Sequence, residues 1–472
     1  MGVWAYGGVG DLLIRSQTPI PPHNQTSAEK RFHPSNKAQR YMEILDVLVL
    51  ALSFVMLLAI GVPISYCIGI STVVTMLLSI QTMPAFTTEA QRIATGLDSF
   101  ALLAIPFFIL AGQIMNQGGI ARRLIDFAKA VLGVLPGGLA HVNIVASMLF
   151  GAISGSAVAA ASAVGGVMAP QMEEDGYDRS FGAAVNITAA TTGLLIPPSN
   201  ILIVYSLASG GVSIAALFLA GYLPGLLVGL GLMGVAGVLA VRRKYPVSGR
   251  LPLKVTFKKF VDAIPSLFLL VVVMGGIVAG YFTATEAAAV AVFYALILAF
   301  IYREIKVSDL PQILLDASAT TAVVLLLVGT SVGMSWIMAY VNIPQNVTET
   351  LVALTDNKIV ILLIINIILL SVGTFMDMTP AVLIFTPIFL PIAVELGIDP
   401  THFGIIMVLN LCIGLCTPPV GSVLFVGVGV AETSITQVIR PLLPLFIAMV
   451  VSLLIVTYVP WLSLWLPGVF GY

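Results

Sequence analysis

Two pairs of adjacent prolines interrupt long apolar stretches of the sequence, in GLLIPPSN at 193–200 and in GLCTPPVG at 414–421. Proline removes a backbone donor and clashes with the preceding turn, which costs about 3 kcal/mol inside a helix. In a membrane, broken backbone persists only where protein buries it or where it lines a wet cavity. Freed carbonyls can bind a small cation, and exposed helix N-termini attract an anion. We therefore interpret the breaks as candidate binding sites; a kink needed only for packing is the alternative.

A polar interruption also precedes the first diproline. The segment GAISGSAVAAASAVGG at 151–166 consists almost wholly of small residues, and Ser154, Gly155 and Ser156 give it a flexible backbone with two hydroxyls. Such a segment suits the tip of a re-entrant hairpin near the membrane centre. Small residues also permit close helix packing, which is the alternative interpretation.

The counterpart before the second diproline is SVGTFMDMTPAVLIF at 371–385, which contains Asp377. Between Ile359 and Val394, Asp377 is the only ionisable side chain. A lone carboxylate amid hydrocarbon is costly and is a functional candidate by default. It could bind sodium, carry a proton, or cap a helix that restarts near Pro380. Of these roles we favour contact with an ion or the substrate.

The composition is that of a polytopic membrane protein. Of the 472 residues, 59% are hydrophobic and 9% are charged, and the mean hydropathy is +1.06. A soluble domain carries roughly 25% charged residues. Apolar runs recur from Asp46 to the C-terminus, so we predict an all-α protein with about 10–12 transmembrane helices plus two re-entrant hairpins. The net charge of -1 gives no basic signature of nucleic-acid binding.

The sequence holds no convincing enzyme signature. HExxH, Walker A and CxxC patterns are all missing. GTSVG at 329–333 matches GxSxG, but it lies in an apolar span without the strand-turn-helix context of a nucleophile elbow. Cys67, Cys412 and Cys416 have no histidine or carboxylate beside them to complete a metal site, so we interpret them as packing residues. We predict no catalytic residue and no cofactor apart from a coupling ion.

Residues 1–41 differ from the rest of the chain because they are mostly polar and contain a basic cluster. They lack the apolar core of a signal peptide. Met42 is a natural start directly before the first apolar run. We expect residues 1–41 to be a disordered tail or a misassigned start.

The clearest polar break is residues 241–259, which hold seven Lys or Arg residues and no acid. The excess of positive charge on cytoplasmic loops places this segment in the cytoplasm. The short basic loop YREIK at 302–306 should lie there too. The spans at about 262–280 and 283–302 then form a hairpin that turns outside near Tyr281.

The basic segment also separates two similar halves, 42–240 and 260–472. Shifting the sequence by 221 residues superimposes Pro170 on Pro391, Gly176 on Gly397, Asp178 on Asp399, Gly193 on Gly414 and Pro197-Pro198 on Pro418-Pro419. We interpret this ordered set as an internal repeat. Repeats that break hydrophobic segments at corresponding points are typical of secondary transporters.

Several motifs identify a family. GAISGSAVA, GYDRSFGAAV, GLLIPPSN and the segment 208–227 resemble the large membrane subunit, the DctM-type permease, of the tripartite ATP-independent periplasmic (TRAP) transporters. In the second half, residues 375–421 and YVPWLSLWLP at 458–467 are similar as well. The resemblance covers the chain from Met42 onward and does not extend to residues 1–41.

The resemblance implies a sodium-coupled importer of organic acid anions, such as C4-dicarboxylates or sugar acids, in the bacterial inner membrane. Its partners would be a small four-span membrane subunit and a periplasmic substrate-binding protein. The implied fold has inverted repeats, and a transport domain carrying both hairpin tips and both broken helices moves like an elevator within a scaffold.

The resemblance also assigns site residues in this chain. The first tip is Ser154, Gly155 and Ser156, and the second runs from Gly373 to Thr379 with Asp377. The broken helices contribute the following residues: Pro197, Pro198, Ser199, Asn200, Thr417, Pro418, Pro419 and Gly421. Sodium is expected at the backbone near Ser154, Pro197, Asp377 and Pro418. One departure is Ala160, which stands where many members of the family have an aspartate. It either removes an ion or substrate contact from the first half, so that the two halves play unequal roles, or marks a different substrate subfamily.

Two other functions stay open at this point. A channel or permease subunit energised by a partner ATPase is the main alternative, and the paired breaks argue against it. A membrane enzyme that uses Asp377 as an acid lacks a second catalytic group. Because the proposed site segments hold no lysine or arginine, sodium and helix dipoles would have to provide the positive potential for an anion.

Overall fold

The computed structural model describes residues 36–246, 252–355 and 357–472. In these ranges the regular structure is helical and no strand occurs, which confirms the predicted all-α fold. Of the predicted polar extension, residues 1–35 lie outside the described residues. The segment from Asp46 to Tyr472 forms one compact unit, and its fold is described below.

The first helix, α1 (Asn36–Ala59), begins upstream of the predicted boundary at Met42. Residues 37–40 are Lys, Ala, Gln and Arg, which all favour helix. The helix therefore extends beyond the apolar run that the sequence interpretation used to place its start.

Nine further helices make up the rest of the first half. They are α2 (Ile64–Ser79), α3 (Thr82–Leu97), α4 (Ala104–Gln117), α5 (Ile120–Leu132), α6 (Gly138–Ser154), α7 (Ala157–Glu174), α8 (Arg179–Thr192), α9 (Asn200–Ala208) and α10 (Ile214–Arg242). A 3-10 turn, Gly193–Leu195, follows α8 and leads into the first diproline. The proline-induced break thus falls between α8 and α9.

The second half contains ten helices. They are α11 (Leu253–Val278), α12 (Ala284–Tyr302), α13 (Leu310–Tyr340), α14 (Ile343–Leu354), α15 (Lys358–Phe375), α16 (Met378–Glu395), α17 (Pro400–Gly414), α18 (Ser422–Val430), α19 (Ile435–Tyr458) and α20 (Trp461–Val469). The predicted basic loop 241–259 is shorter than expected, because α11 already begins at Leu253. Residues 247–251 of that loop lie outside the described residues.

Eight helices of the described chain are long and apolar enough to cross a membrane. Counting the bent pair Arg179–Leu195 and Asn200–Ala208, which meet at 52°, as one span gives nine. Four more apolar helices are shorter, namely Ile44–Ala59, Ile64–Ser79, Gly138–Ala152 and Pro400–Gly414. The apolar runs that the sequence suggested as spans include these shorter helices.

The order of helices supports the predicted repeat. Helices α7 and α16 have 18 residues each and begin at Ala157 and Met378, which are 378 − 157 = 221 positions apart. Helices α9 and α18, which follow the two diprolines, have nine residues each. The two halves therefore build the same sequence of hairpin, break and short helix.

Ion pairs at one end of the molecule bring the end of α10 close to the start of α19. Arg243, just after α10, lies 2.9 Å from the carboxylate of Asp178. The neighbouring Arg179 lies 3.9 Å from the carboxylate of Glu432, just before α19. Helix α10 therefore ends where its counterpart α19 begins, as expected for inverted repeats.

The helices of the compact unit pack as two sets. Helix set 1 consists of α2–α5 and α11–α14, and helix set 2 consists of α6–α10 and α15–α20. Each set mixes both halves: α13 packs on α2, α3 and α4, while α10 packs on α17, α19 and α20. The sets meet mainly where α4 and α5 contact α6 and where α13 and α14 contact α16.

Glycine pairs bring each hairpin close to its broken helix. A Cβ atom on Gly193 would lie 2.6 Å from the Cα of Gly151, and one on Gly414 would lie 2.6 Å from the Cα of Gly373. Backbones can approach this closely only without side chains. The same contact occurs in both halves, between α6 and the end of α8 and between α15 and the end of α17.

Candidate functional site

A cavity of about 320 Å³ lies between the two helix sets. Helix set 1 contributes residues of α4 and α13 to its wall. Helix set 2 contributes the first hairpin tip, the start of α9, the start of α16 and the ends of α8 and α17. Several predicted site residues line this cavity, namely Ser154, Gly155, Ser156, Asn200, Asp377 and Thr379.

The cavity is lined by equivalent positions of the two halves. At the spacing of 221 residues, Ser156 corresponds to Asp377 and Leu194 corresponds to Leu415, and all four residues line the wall. The two leucines each lie three positions before a diproline. Both hairpin tips and both helix breaks therefore reach the same space.

The first tip is a tight reversal between α6 and α7. Gly155 has a φ of +62°, in the left-handed region that glycine tolerates. The Ser156 hydroxyl then accepts a hydrogen bond from the Ala159 amide at 3.2 Å and caps α7. The space above Gly155 is occupied, since a Cβ atom there would lie 2.6 Å from the Asn200 amide nitrogen. The tip therefore contacts the start of α9.

This geometry predicts that Gly155→Ala impairs transport. Alanine would strain the left-handed residue by about 1–2 kcal/mol, and its methyl group would displace the Asn200 side chain from the wall. We expect at least a tenfold slower uptake, roughly what 1.4 kcal/mol would give, with normal protein levels in the membrane. Gly176→Ala is the matched control, because Gly176 also has a positive φ but has nothing within 4 Å of its Cβ position. Equal uptake by the two variants would contradict the prediction.

Asp377 stands at the N-cap position of α16, where its carboxylate lies beside the backbone N–H groups of Met378 and Thr379. Pro380, at the third helical position, has no N–H to offer, so only the N–H groups of the first two helical residues are available to this carboxylate. The residue is exposed, and it lines the cavity. The position is compatible with capping of the restarted helix and also lets the carboxylate meet an ion in the cavity, so contact with an ion stays a prediction.

Three helices begin at the cavity. Their first residues, Ala157 of α7, Asn200 of α9 and Met378 of α16, all line its wall. Helix N-termini carry partial positive charge and attract anions. None of the described lining residues is Lys, Arg or His. The positive potential must come from these backbone dipoles and from any bound cation.

The remaining predicted residues do not line the cavity: Pro197, Pro198, Ser199, Gly373, Thr417, Pro418, Pro419 and Gly421. The Ser199 hydroxyl donates to the Leu194 carbonyl, and the Thr417 hydroxyl donates to the Ile413 carbonyl at 2.8 Å. Both diproline bonds are cis. The residues of the two diproline segments shape the breaks, Gly373 packs on Gly414, and the sodium positions expected at Pro197 and Pro418 stay predictions.

Ala160, where the resemblance leads one to expect an aspartate, is completely buried and does not line the cavity. The side chain at this position of α7 packs inside helix set 2. The alanine itself therefore contributes no group to the cavity wall.

The sequence interpretation missed three polar residues of helix set 1 that line the cavity, Gln113, Asn116 and Thr320. Gln113 and Asn116 lie three residues apart on α4, so they share one face of that helix. The sequence feature that could have identified Gln113 and Asn116 is the presence of two amides at helical spacing in the apolar segment AIPFFILAGQIMNQ.

Comparison with known proteins identifies the family of the chain. Residues 51–462 match the family described as "Tripartite ATP-independent periplasmic transporter, DctM component". The chain is 58% identical over 428 residues to the uncharacterized protein YgiK of Salmonella typhimurium, covering 91% of this chain and 98% of that protein. It is 39% identical to the C4-dicarboxylate TRAP transporter large permease protein DctM of Rhodobacter capsulatus, covering 87% and 96%.

The fold is also similar to a solved structure. The crystal structure of the YdaH transporter of Alcanivorax borkumensis matches with a TM-score of 0.61 and 14% identity, covering 90% of this chain and 98% of that one. The prediction that the chain is not an enzyme agrees with a family of transporter components. The chain belongs to the DctM family and is a large permease component of the TRAP transporters, multi-pass proteins of the inner membrane.

Proposed function

We propose that the chain is the large permease subunit of a sodium-coupled importer of an organic acid anion, and that the cavity between the helix sets is its transport site. The observation that carries the proposal is the composition of the cavity wall. It combines one carboxylate, Asp377, with three helix N-termini and no basic side chain among its described residues. Such a wall suits a cation and an anion together better than either one alone.

Electrostatic interactions at Asp377 would make anion binding depend on sodium binding. An anion about 4 Å from an ionised Asp377 would be repelled by about 4 kcal/mol at an effective dielectric constant of 20. A sodium ion bound at Asp377 would cancel this repulsion. Since 1.4 kcal/mol is tenfold in affinity, sodium would raise anion affinity by about a thousandfold. Anion uptake would then follow the sodium gradient.

The two helix sets suggest how the site changes sides. Helix set 2 carries both tips and both breaks, whereas helix set 1 provides the facing wall from α4 and α13. We identify helix set 2 with the moving transport domain of an elevator and helix set 1 with the scaffold. Movement of helix set 2 past helix set 1 would carry the anion and sodium across together.

The family supports a proposal for the partners and the substrate class. A tripartite transporter has two further components, and for this chain we propose a small four-span membrane subunit and a periplasmic binding protein. The related DctM of Rhodobacter capsulatus is a C4-dicarboxylate permease protein by name. We propose a carboxylate anion of that kind or a sugar acid as substrate, delivered by the binding protein.

Reconstitution tests the proposed function. The permease and its small subunit are reconstituted into liposomes, and the binding protein is added outside. Uptake of labelled succinate, gluconate and glucuronate is then measured under an imposed sodium gradient without ATP. We expect accumulation of at least one acid above equilibrium, and its loss when the gradient is collapsed with a sodium ionophore. Accumulation that needs ATP, or that ignores sodium, would contradict the proposal and favour a subunit energised by an ATPase.

A further inference from the structure

We propose that Gln113 and Asn116 of α4 bind the anion only when the site faces the cytoplasm. They would then raise the affinity of the inward-facing site for the anion but not the affinity of the outward-facing site. The inference rests on the proposed function and on movement of helix set 2 against helix set 1. Both amides line the cavity, together with the first hairpin tip. Neither residue is part of helix set 2, which carries the rest of the polar wall.

Close packing fixes the two amides next to the tip. Gly112, which precedes Gln113, contacts the tip so tightly that a Cβ atom on it would lie 3.0 Å from the Cα of Ser154. Gln113 is half-buried and Asn116 is exposed. Within the described part of the chain, neither carboxamide has a hydrogen-bond partner in the protein. Each amide group offers two N–H donors, which suits the oxygens of a carboxylate.

The side of the membrane follows from the end of α4. Asn116 lies next to the last residue of that helix, and α5 follows directly. The carboxylate of Asp126 on α5 pairs with Lys259 at 2.5 Å, and Lys259 belongs to the basic segment predicted to be cytoplasmic. The amides therefore lie on the cytoplasmic side of the tip, and Thr320, ten residues into α13, lies on the same wall.

The amides of α4 can therefore contact the anion in only one of the two orientations of the site. In the arrangement seen here, an anion at the tip can accept hydrogen bonds from the amides of α4. When helix set 2 moves toward the outside, the tip leaves α4 behind, because α4 belongs to helix set 1. The amides then contribute nothing to binding from the periplasm. They act as specificity and retention groups of the inward-facing state.

The test compares the two sides of the membrane. The nearly isosteric double variant Gln113→Met with Asn116→Leu is reconstituted with its partners, using as probe whichever of succinate, gluconate or glucuronate the wild type accumulates. Binding of the labelled probe is measured with inside-out vesicles in saturating sodium, and the KM for uptake with right-side-out vesicles and binding protein. Gln117→Met, at the end of α4 and outside the cavity wall, is the control.

We expect the Kd at the inner face to rise about tenfold or more, since hydrogen bonds to a charged group are the stronger ones. The outer KM should change less than about twofold, and the control should match the wild type. Asn116→Asp, which keeps the side-chain size and adds repulsion, should weaken inner binding at least as much and gives a second test if the double variant folds poorly.

Two results would overturn the inference: an unchanged inner Kd, or equal losses on both sides. Both are distinct from failure of the proposed function, which would appear as a wild type that accumulates none of the acids under a sodium gradient.

Discussion

Asp377→Asn is expected to abolish sodium-driven accumulation of the acid while the protein remains folded and inserted. Asparagine keeps the size of the side chain and removes the charge that would bind sodium in the cavity. Loss of an ion contact of about 4 kcal/mol, the Coulomb energy at about 4 Å and an effective dielectric constant of 20, corresponds to roughly a thousandfold weaker sodium affinity. Because asparagine is about as good as aspartate at the N-cap position that residue 377 occupies, the substitution should cost little stability.

The measurement is uptake in proteoliposomes at matched amounts of inserted protein. Asp98→Asn is the control, since Asp98 is an exposed carboxylate at the end of α3 that does not line the cavity. We expect the control to accumulate the acid normally. Accumulation like that of the wild type by Asp377→Asn would remove Asp377 from the site.

The second large effect concerns the glycine contacts behind the site. Gly193→Ala and Gly414→Ala should each prevent the hairpin from packing on its broken helix, because the new Cβ would lie 2.6 Å from backbone atoms of Gly151 or Gly373. Backbone cannot move aside as a flexible side chain can, so we expect a loss at or above the usual 1–3 kcal/mol of overpacking, roughly a hundredfold in the folding equilibrium.

Thermal unfolding of the purified protein in detergent measures this effect. Gly166→Ala is the matched control, because Gly166 lies inside α7 with nothing within 4 Å of its Cβ position. There, alanine should be neutral or slightly stabilising, since glycine inside a helix costs about 1 kcal/mol relative to alanine. If all three variants unfold at the same temperature, the close approach of hairpin and broken helix is not important for stability.

Site residues were easiest to predict from the sequence where a charged or polar side chain lies in an apolar membrane segment, because burying it there costs free energy. Asp377 was identified because a carboxylate surrounded by hydrocarbon is energetically costly and is therefore a candidate functional residue. Ser154–Ser156 and Asn200 were identified because small polar residues flank a break. All of them line the cavity. The all-α fold and the spans α11 and α12 also followed from apolar runs and charged loops, which depend on local composition alone.

Which of the other residues line the cavity depends on tertiary packing, which the sequence alone does not reveal. Gln113, Asn116 and Thr320 lie on otherwise ordinary apolar helices, and only the meeting of the helix sets turns them toward the cavity. Conversely, Gly373 was assigned to a binding tip, but its backbone packs on Gly414 instead. The short α3, α5 and α14 were not predicted because they do not span the membrane by themselves.

The central claim is that sodium near Asp377 makes the cavity accept an anion. Equilibrium binding of the transported acid to the purified permease, measured over a range of sodium concentrations, tests it most directly. We expect acid affinity to rise steeply with sodium for the wild type, and by thermodynamic reciprocity sodium affinity to rise with the acid; in Asp377→Asn the dependence should disappear. Acid affinity that is the same with and without sodium in the wild type would contradict the account.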